Sequence, residues 1–127
     1  MDKLLIDTDV LIDHLRGIER AKAYLRKKKD GGNVLSYSVI TKTELYAGLR
    51  EGEEESIASL LGAMMELNVN GDIAEAAGLY MRRFYKSHGL LVPDALIAAT
   101  AKISGATLIT SNIKHLPMKD ISIELPY

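Results

Sequence analysis

The sequence predicts an α/β domain with a parallel sheet of about four or five strands and helices on both faces. Two observations predict it. Short apolar runs without alternation, such as Leu4-Leu5-Ile6, read as strands buried on both sides. Between such runs lie segments with apolar residues at helical spacing, for example Ile57, Leu60, Leu61 and Met64. At 127 residues the chain is expected to be one domain over 1–127, long enough to bury a real core. No repeat, linker or low-complexity stretch interrupts it.

The elements follow in order. Residues 3–7 form a first strand, and a helix over about 9–16 is closed by Gly17. A second helix, about 18–29, ends in Lys27-Lys28-Lys29, cations suited to the negative end of its dipole. Asp30-Gly31-Gly32-Asn33 is a turn, and 34–37 a second strand. Ser38 or Thr41 caps a helix reaching about Arg50. Glu53-Glu54-Glu55 opens the next, since acidic residues favour a first turn. Residues 67–69 suggest a short strand before an Asn70-Gly71 turn. Asp72 and Glu75 form a capping-box pattern for a long helix with Ile73, Ala76, Ala77, Tyr80 and Phe84 on one face, stopped by Gly89. Pro93 suits the first turn of a helix running to Ser104-Gly105. Residues 107–110 form a strand, 111–114 a loop, and 121–124 a last strand.

Composition excludes several classes. There is no cysteine, so disulfides, zinc-thiolate sites and thiol catalysis are out. No run approaches the ~20 apolar residues of a membrane span. The start, Met1-Asp2-Lys3-Leu4, lacks the zones of a signal peptide, so a cytoplasmic location is expected. A net charge of −1 argues mildly against a protein that merely coats nucleic acid. It does not argue against a nuclease whose acidic site offsets basic residues elsewhere.

Three carboxylates stand where a loop or helix start leaves an apolar segment: Asp7, Glu44 and Asp94. A buried charge without a partner is strongly unfavourable. Three that converge repel one another unless a cation neutralises them, and hard oxygen donors suit Mg²⁺ or Mn²⁺. Each also has a structural reading. Asp7 and Asp9 are good helix caps, Thr41-x-x-Glu44 is itself a capping box, and Asp94 in a first turn suits the helix dipole. Asp7 and the segment Thr110-Ser111-Asn112 both fall at the carboxyl ends of expected strands, where open α/β sheets bind ligands.

Other groups carry less. His14, His88 and His115 show no shared metal spacing, and none is a convincing general base. Tyr80, Phe84 and Tyr85 read as core packing rather than base stacking. Basic residues gather over 16–29 and at Arg82, Arg83 and Lys86; Arg16 and Arg20 lie nearest Asp7 and are candidate phosphate contacts. Asp7-Thr8-Asp9 after an apolar strand also suggests a haloacid-dehalogenase-like phosphatase. That reading fails because the 17 residues after Thr110 hold no acidic pair.

Leu4-Leu5-Ile6-Asp7-Thr8-Asp9-Val10-Leu11-Ile12 resembles the opening motif of PIN-domain ribonucleases, especially the VapC-type toxins of toxin–antitoxin pairs. Residues 38–48 are similar to the second motif, with its glutamate at Glu44. Residues 94–101 match the third, with its aspartate at Asp94, and 108–112 the fourth, with Asn112 where many PIN domains carry aspartate. The resemblance spans nearly the whole chain, with four motifs in order.

It implies a PIN domain that hydrolyses RNA with Mg²⁺ or Mn²⁺ held by Asp7, Glu44 and Asp94. Asn112 and Thr110, with Thr8 in support, would orient water or a ligand. Asp9 and Asp13 are expected to be carried away from the site by the helix after Asp7. The implied partners are RNA, a small VapB-like antitoxin and a second copy of the chain. The apolar stripes over 57–64 and 73–84 add to the expectation of a homodimer. The alternatives are a housekeeping RNA-processing PIN nuclease without an antitoxin, or a catalytically weak binding domain of the same fold.

Overall fold

In the computed structural model, which describes residues 2–127, every strand pairing is parallel. The chain runs β1 (Lys3–Ile6), α1 (Thr8–Leu15), α2 (Glu19–Asp30), β2 (Val34–Ser38), α3 (Val39–Ala47), α4 (Glu54–Gly62), β3 (Met65–Leu67), α5 (Gly71–His88), α6 (Val92–Ser104), β4 (Thr107–Ile109) and β5 (Ile123–Glu124). The strands lie in the order β3-β2-β1-β4-β5. The expected α/β architecture is therefore the observed one.

Period-two geometry explains the unbroken apolar runs. Leu5 and Leu108 face a core shared with Ile97, Ala98 and Ala101 of α6 and with Ile73 and Tyr80 of α5. Leu4, Ile6 and Ile109 face the opposite core with Val10, Leu11, Leu25, Leu45, Ile57 and Leu61, contributed by α1 to α4. Both faces of β1 and β4 are covered, so past the half-buried Lys3 and Thr107 at their starts each strand is apolar throughout. Leu5, Ile6, Leu108 and Ile109 have no exposed surface, and each such side chain contributes about 1.5–3 kcal/mol relative to exposure.

Positive φ at Gly17 (79°) breaks the α1–α2 path, a conformation that costs glycine little. Gly105 (φ 69°) ends α6 in the same way and lets the chain drop into β4.

Several local expectations are corrected. Thr41 does not cap α3: Ser38 does, its hydroxyl accepting from Ile40 N–H at 3.0 Å. Asp72 does not cap α5: Asn70 holds that place, its Oδ1 accepting from Ile73 N–H at 2.9 Å. In both cases the residue nearer the extended segment has the non-helical backbone that a cap needs. The third strand lies at Met65–Leu67 rather than 67–69. It is an edge strand whose central Glu66 accepts from Tyr37 Oη and Lys42 Nζ, each at 3.0 Å, so it carries no apolar signature. The helical stripe ends before Met64, because α4 stops at Gly62.

The stripes behind the dimer expectation are spent inside the molecule. Ile57, Leu61, Ile73, Ala77 and Tyr80 are all buried in the two cores. No helix among the described residues is long and apolar enough to cross a membrane.

Candidate active site

The strand order turns between β1 and β4, since β2 flanks β1 on one side and β4 on the other. Ligands in open α/β sheets bind beyond the carboxyl ends at such a point. Asp7 follows β1 there and Thr110 follows β4, and a cleft of about 430 Å³ opens between them. Its walls are Asp7, Thr8, Asp9, Ile12, Glu44, Asp94, Ser111 and Asn112.

Asp7 is fixed at both oxygens. Oδ1 accepts from Thr8 N–H at 2.8 Å and Oδ2 from the Thr110 hydroxyl at 2.7 Å. Its backbone N–H continues the sheet to the Ile109 carbonyl at 2.9 Å. Thr110 Oγ1 also accepts from Asn112 N–H at 3.0 Å, which sets the loop carrying Asn112. The capping reading of Asp7 holds locally, because it is the N-cap of α1. It does not account for the burial.

Asp7 is 6% exposed, and its carboxyl is pushed up from 3.8 to about 7. Burial is the main cause and the Asp9 charge the next; Thr110 and Thr8 pull the other way, and Asp94 adds a smaller upward push. The Asp94 carboxyl is also raised, by burial first and then by Glu44, with His115 opposing. Glu44, on α3, accepts from the Thr8 hydroxyl at Oε1 across 2.7 Å. It does not reach back to the start of α3, so the capping-box reading of Glu44 is overturned.

The sequence expectation puts Asp9 outside the site, yet it lines the cleft. Asp9 Oδ1 accepts from Val10 N–H at 2.9 Å, while Oδ2 meets Ser111 N–H at 3.1 Å and the Ser111 hydroxyl. It sits in the first turn of α1, too early for the helix to rotate it away. The pairing of D-T-D with a serine just past the last strand of the fourth motif is the available signal. Asp13, one turn later, does leave the cleft and accepts from Tyr127 Oη.

The ion pairs among the described residues are Arg16–Glu53, Lys28–Glu124, Lys42–Glu66 and Lys102–Asp120, and none involves a cleft carboxylate. Arg16 is therefore committed to Glu53, beside a small cavity that Glu44 also borders. Arg20 is exposed, its guanidinium 5.1 Å from the Tyr127 ring centre. His115 Nδ1 meets the His88 carbonyl at 2.7 Å, and among the described residues the histidines belong to no metal-holding group of three or more side chains. A larger cavity, about 680 Å³, is lined mainly by α2 and α4 residues, with His14 and Leu35 beside them, and contains none of the candidate acids.

Among the described residues no group of three His, Asp or Glu side chains stands at ion-holding spacing. The carboxylates line the cleft without closing on one point. Their chemistry nonetheless fits a hard divalent cation: oxygen donors only, with Asp7 and Asp94 raised by burial and by neighbouring acids, and no lysine or arginine paired to them.

A PIN domain model matches residues 4–119, nearly the full chain. This chain belongs to the PIN-domain family. Among relatives of this PIN domain, ribonuclease VapC19 of Mycobacterium tuberculosis is 39% identical over 115 residues, covering 90% of this chain and 92% of that protein. Ribonuclease VapC10 of the same organism is 40% identical over 117 residues, covering 91% and 86%. Among solved structures, a chain of a toxin–antitoxin complex from Klebsiella pneumoniae matches with a TM-score of 0.78 and 29% identity, over 98% of each chain.

Proposed function

We propose that this PIN domain, taken as one unit over 1–127, is a divalent-metal-dependent ribonuclease that hydrolyses RNA phosphodiester bonds and serves as the toxin of a type II toxin–antitoxin pair. The observation that carries this reading is the cleft beyond β1 and β4. It gathers Asp7, Asp9, Glu44 and Asp94 without one basic ion-pair partner. Carboxylates so arranged are costly to fold and useful for holding a cation. VapC19 and VapC10 are ribonucleases, which supports RNA as the substrate. The Klebsiella neighbour is part of a toxin–antitoxin complex, which supports an antitoxin partner.

Asp7, Glu44 and Asp94 would hold Mg²⁺ or Mn²⁺, which when bound acidifies a water and polarises a phosphoryl oxygen. This chain's own residues do the positioning. Thr110 and Thr8 N–H pin both Asp7 oxygens, and the Thr8 hydroxyl restrains Glu44. Asn112 lines the cleft on the loop fixed by Thr110, and its amide can orient a water or a phosphate oxygen. Arg20 remains available for an RNA phosphate, whereas Arg16 would first have to leave Glu53.

The expected setting is the cytoplasm, with a small VapB-like antitoxin and a second copy of the chain as partners. With the α4 and α5 stripes buried, the surface support for a homodimer lies elsewhere: Tyr85, Leu91 and Val92 are each more than half exposed where α5 passes into α6. Sedimentation at micromolar concentration should show a dimer, and a pure monomer removes that part of the reading.

The deciding experiment incubates a mixed RNA pool with the protein in Mg²⁺, in excess chelator, and with the variants Asp7→Asn and Asp94→Asn. Cleavage should require the cation, disappear in both variants, and be blocked by the co-expressed antitoxin. Cleavage that survives chelation, or near-wild-type activity in either variant, rejects the assignment.

A further inference from the structure

Thr41 lies inside α3, past the Ser38 cap, with no exposed surface. A threonine inside a helix ordinarily turns its hydroxyl back onto the carbonyl of the preceding turn. Thr43 does so toward Val39 at 3.1 Å, and Thr100 toward Leu96 at 2.7 Å. The Thr41 hydroxyl instead meets Thr8 Oγ1 at 3.0 Å, a contact spanning 33 positions of sequence.

Counting hydrogens fixes the direction of this contact. Each hydroxyl carries one hydrogen, and an ionised carboxylate carries none. Thr8 Oγ1 is 2.7 Å from Glu44 Oε1, so the Thr8 hydrogen points to Glu44. The hydrogen in the 3.0 Å contact then belongs to Thr41. Two buried hydroxyls and one carboxylate form a directed chain from Thr41 through Thr8 to Glu44.

We propose that Thr41 is a positioning residue: its hydroxyl donates to Thr8, and Thr8, so locked, holds the Glu44 carboxylate toward the acidic cleft. The inference rests on the reading of Glu44 as a cation-holding carboxylate. Its importance follows from how differently the acids are held. Asp7 has a short side chain with a donor at each oxygen. Glu44 has a longer arm, and Thr8 is its hydrogen-bond partner among the described residues. Linked hydroxyls polarise one another, so the Thr41 donor strengthens the Thr8–Glu44 bond as well as orienting it. Without Thr41 the Thr8 hydroxyl keeps only its bond to Glu44, with an unfilled acceptor site and no second contact to lock it.

Thr41→Val keeps the shape and removes the donor; Thr41→Ser keeps the donor. Thr100→Val is the control for losing a buried helical hydroxyl that stays within its own helix. Two measurements are made on the full chain. In the metal-free protein, NMR follows exchange of the Thr8 hydroxyl proton, which should be slow in wild type and in Thr41→Ser and fast in Thr41→Val. Thermal melting against Mn²⁺ then gives the midpoint concentration, expected to rise about fivefold in Thr41→Val, the loss of about one hydrogen bond. It should stay at the wild-type value in Thr41→Ser and Thr100→Val. Should valine prevent folding, Thr41→Ala takes its place.

An unchanged Thr8 proton in the donor-deficient variant overturns the proposal, as does an equal Mn²⁺ shift in Thr100→Val. A wild type that ignores Mn²⁺ removes the cation reading of the cleft instead. The exchange comparison then still decides what Thr41 does.

Discussion

Thr110 donates its hydroxyl to Asp7 Oδ2 at 2.7 Å, while the Thr110 oxygen accepts from Asn112 N–H at 3.0 Å. One buried side chain thus joins the end of β1 to the end of β4, the two strands that flank the turn in strand order. The bond lowers the cost of an ionised Asp7 without removing it, because burial and the Asp9 charge outweigh it. Folding therefore retains a carboxylate that would prefer a proton or a cation.

A dependence of stability on pH follows. The Asp7 carboxyl is raised from 3.8 to about 7, so the folded state holds a proton that the unfolded state has released between those values. The contribution of Asp7 to stability is greatest below pH ~4, falls as pH rises toward 7, and levels off above that. Asp94, also raised, acts in the same direction. Asp7→Asn removes the Asp7 slope. Without metal, the stability of the variant relative to wild type should climb between pH 5 and pH 8, by up to about 3 kcal/mol, with its melting temperature rising in step. Parallel pH profiles for the two proteins contradict the burial of an ionisable Asp7.

Divalent metal should reverse that penalty. A ligand binding only the folded state stabilises it by RT ln(1 + [L]/Kd), about 2.7 kcal/mol at a hundred times Kd. Wild type should therefore melt progressively higher as Mn²⁺ is added, and Asp94→Asn should gain much less. If wild type and Asp94→Asn respond equally, the ion sits away from this cleft.

What is legible in the sequence, and what is not, divides along physical lines. β1 and β4 can be read because both faces are buried, which leaves unbroken apolar runs such as Leu4-Leu5-Ile6. The strand-end rule then locates Asp7 and Thr110, and the cleft does lie there. β3 is displaced from its expected place because three residues on a sheet edge show no periodicity and Glu66 is satisfied from outside the strand. Asn70 reads as a turn and Asp72 as the cap, since both types favour either role. The true settings of Asp9 and Thr41 escape the sequence for one reason. Their partners, Ser111 and Thr8, are 102 and 33 positions away, and no local pattern encodes such contacts.

Glu44 gives the sharpest test, because its two readings predict opposite results for one substitution. A glutamate that only completes a capping box tolerates glutamine, whose side chain does the same. In the structure Glu44 Oε1 accepts from Thr8 at 2.7 Å and lines the cleft, while Ser38 alone caps α3. Glu44→Gln keeps a carbonyl oxygen for Thr8 and loses the charge that repels Asp94. Without metal, its melting temperature should hold or rise slightly. Cleavage should fall by more than the ~10–100-fold that follows removal of a group merely orienting a metal ligand. Melting and cleavage measured on one preparation separate these effects. Full activity in Glu44→Gln would leave Asp7 and Asp94 as the essential acids and reduce Glu44 to a neighbour of the site.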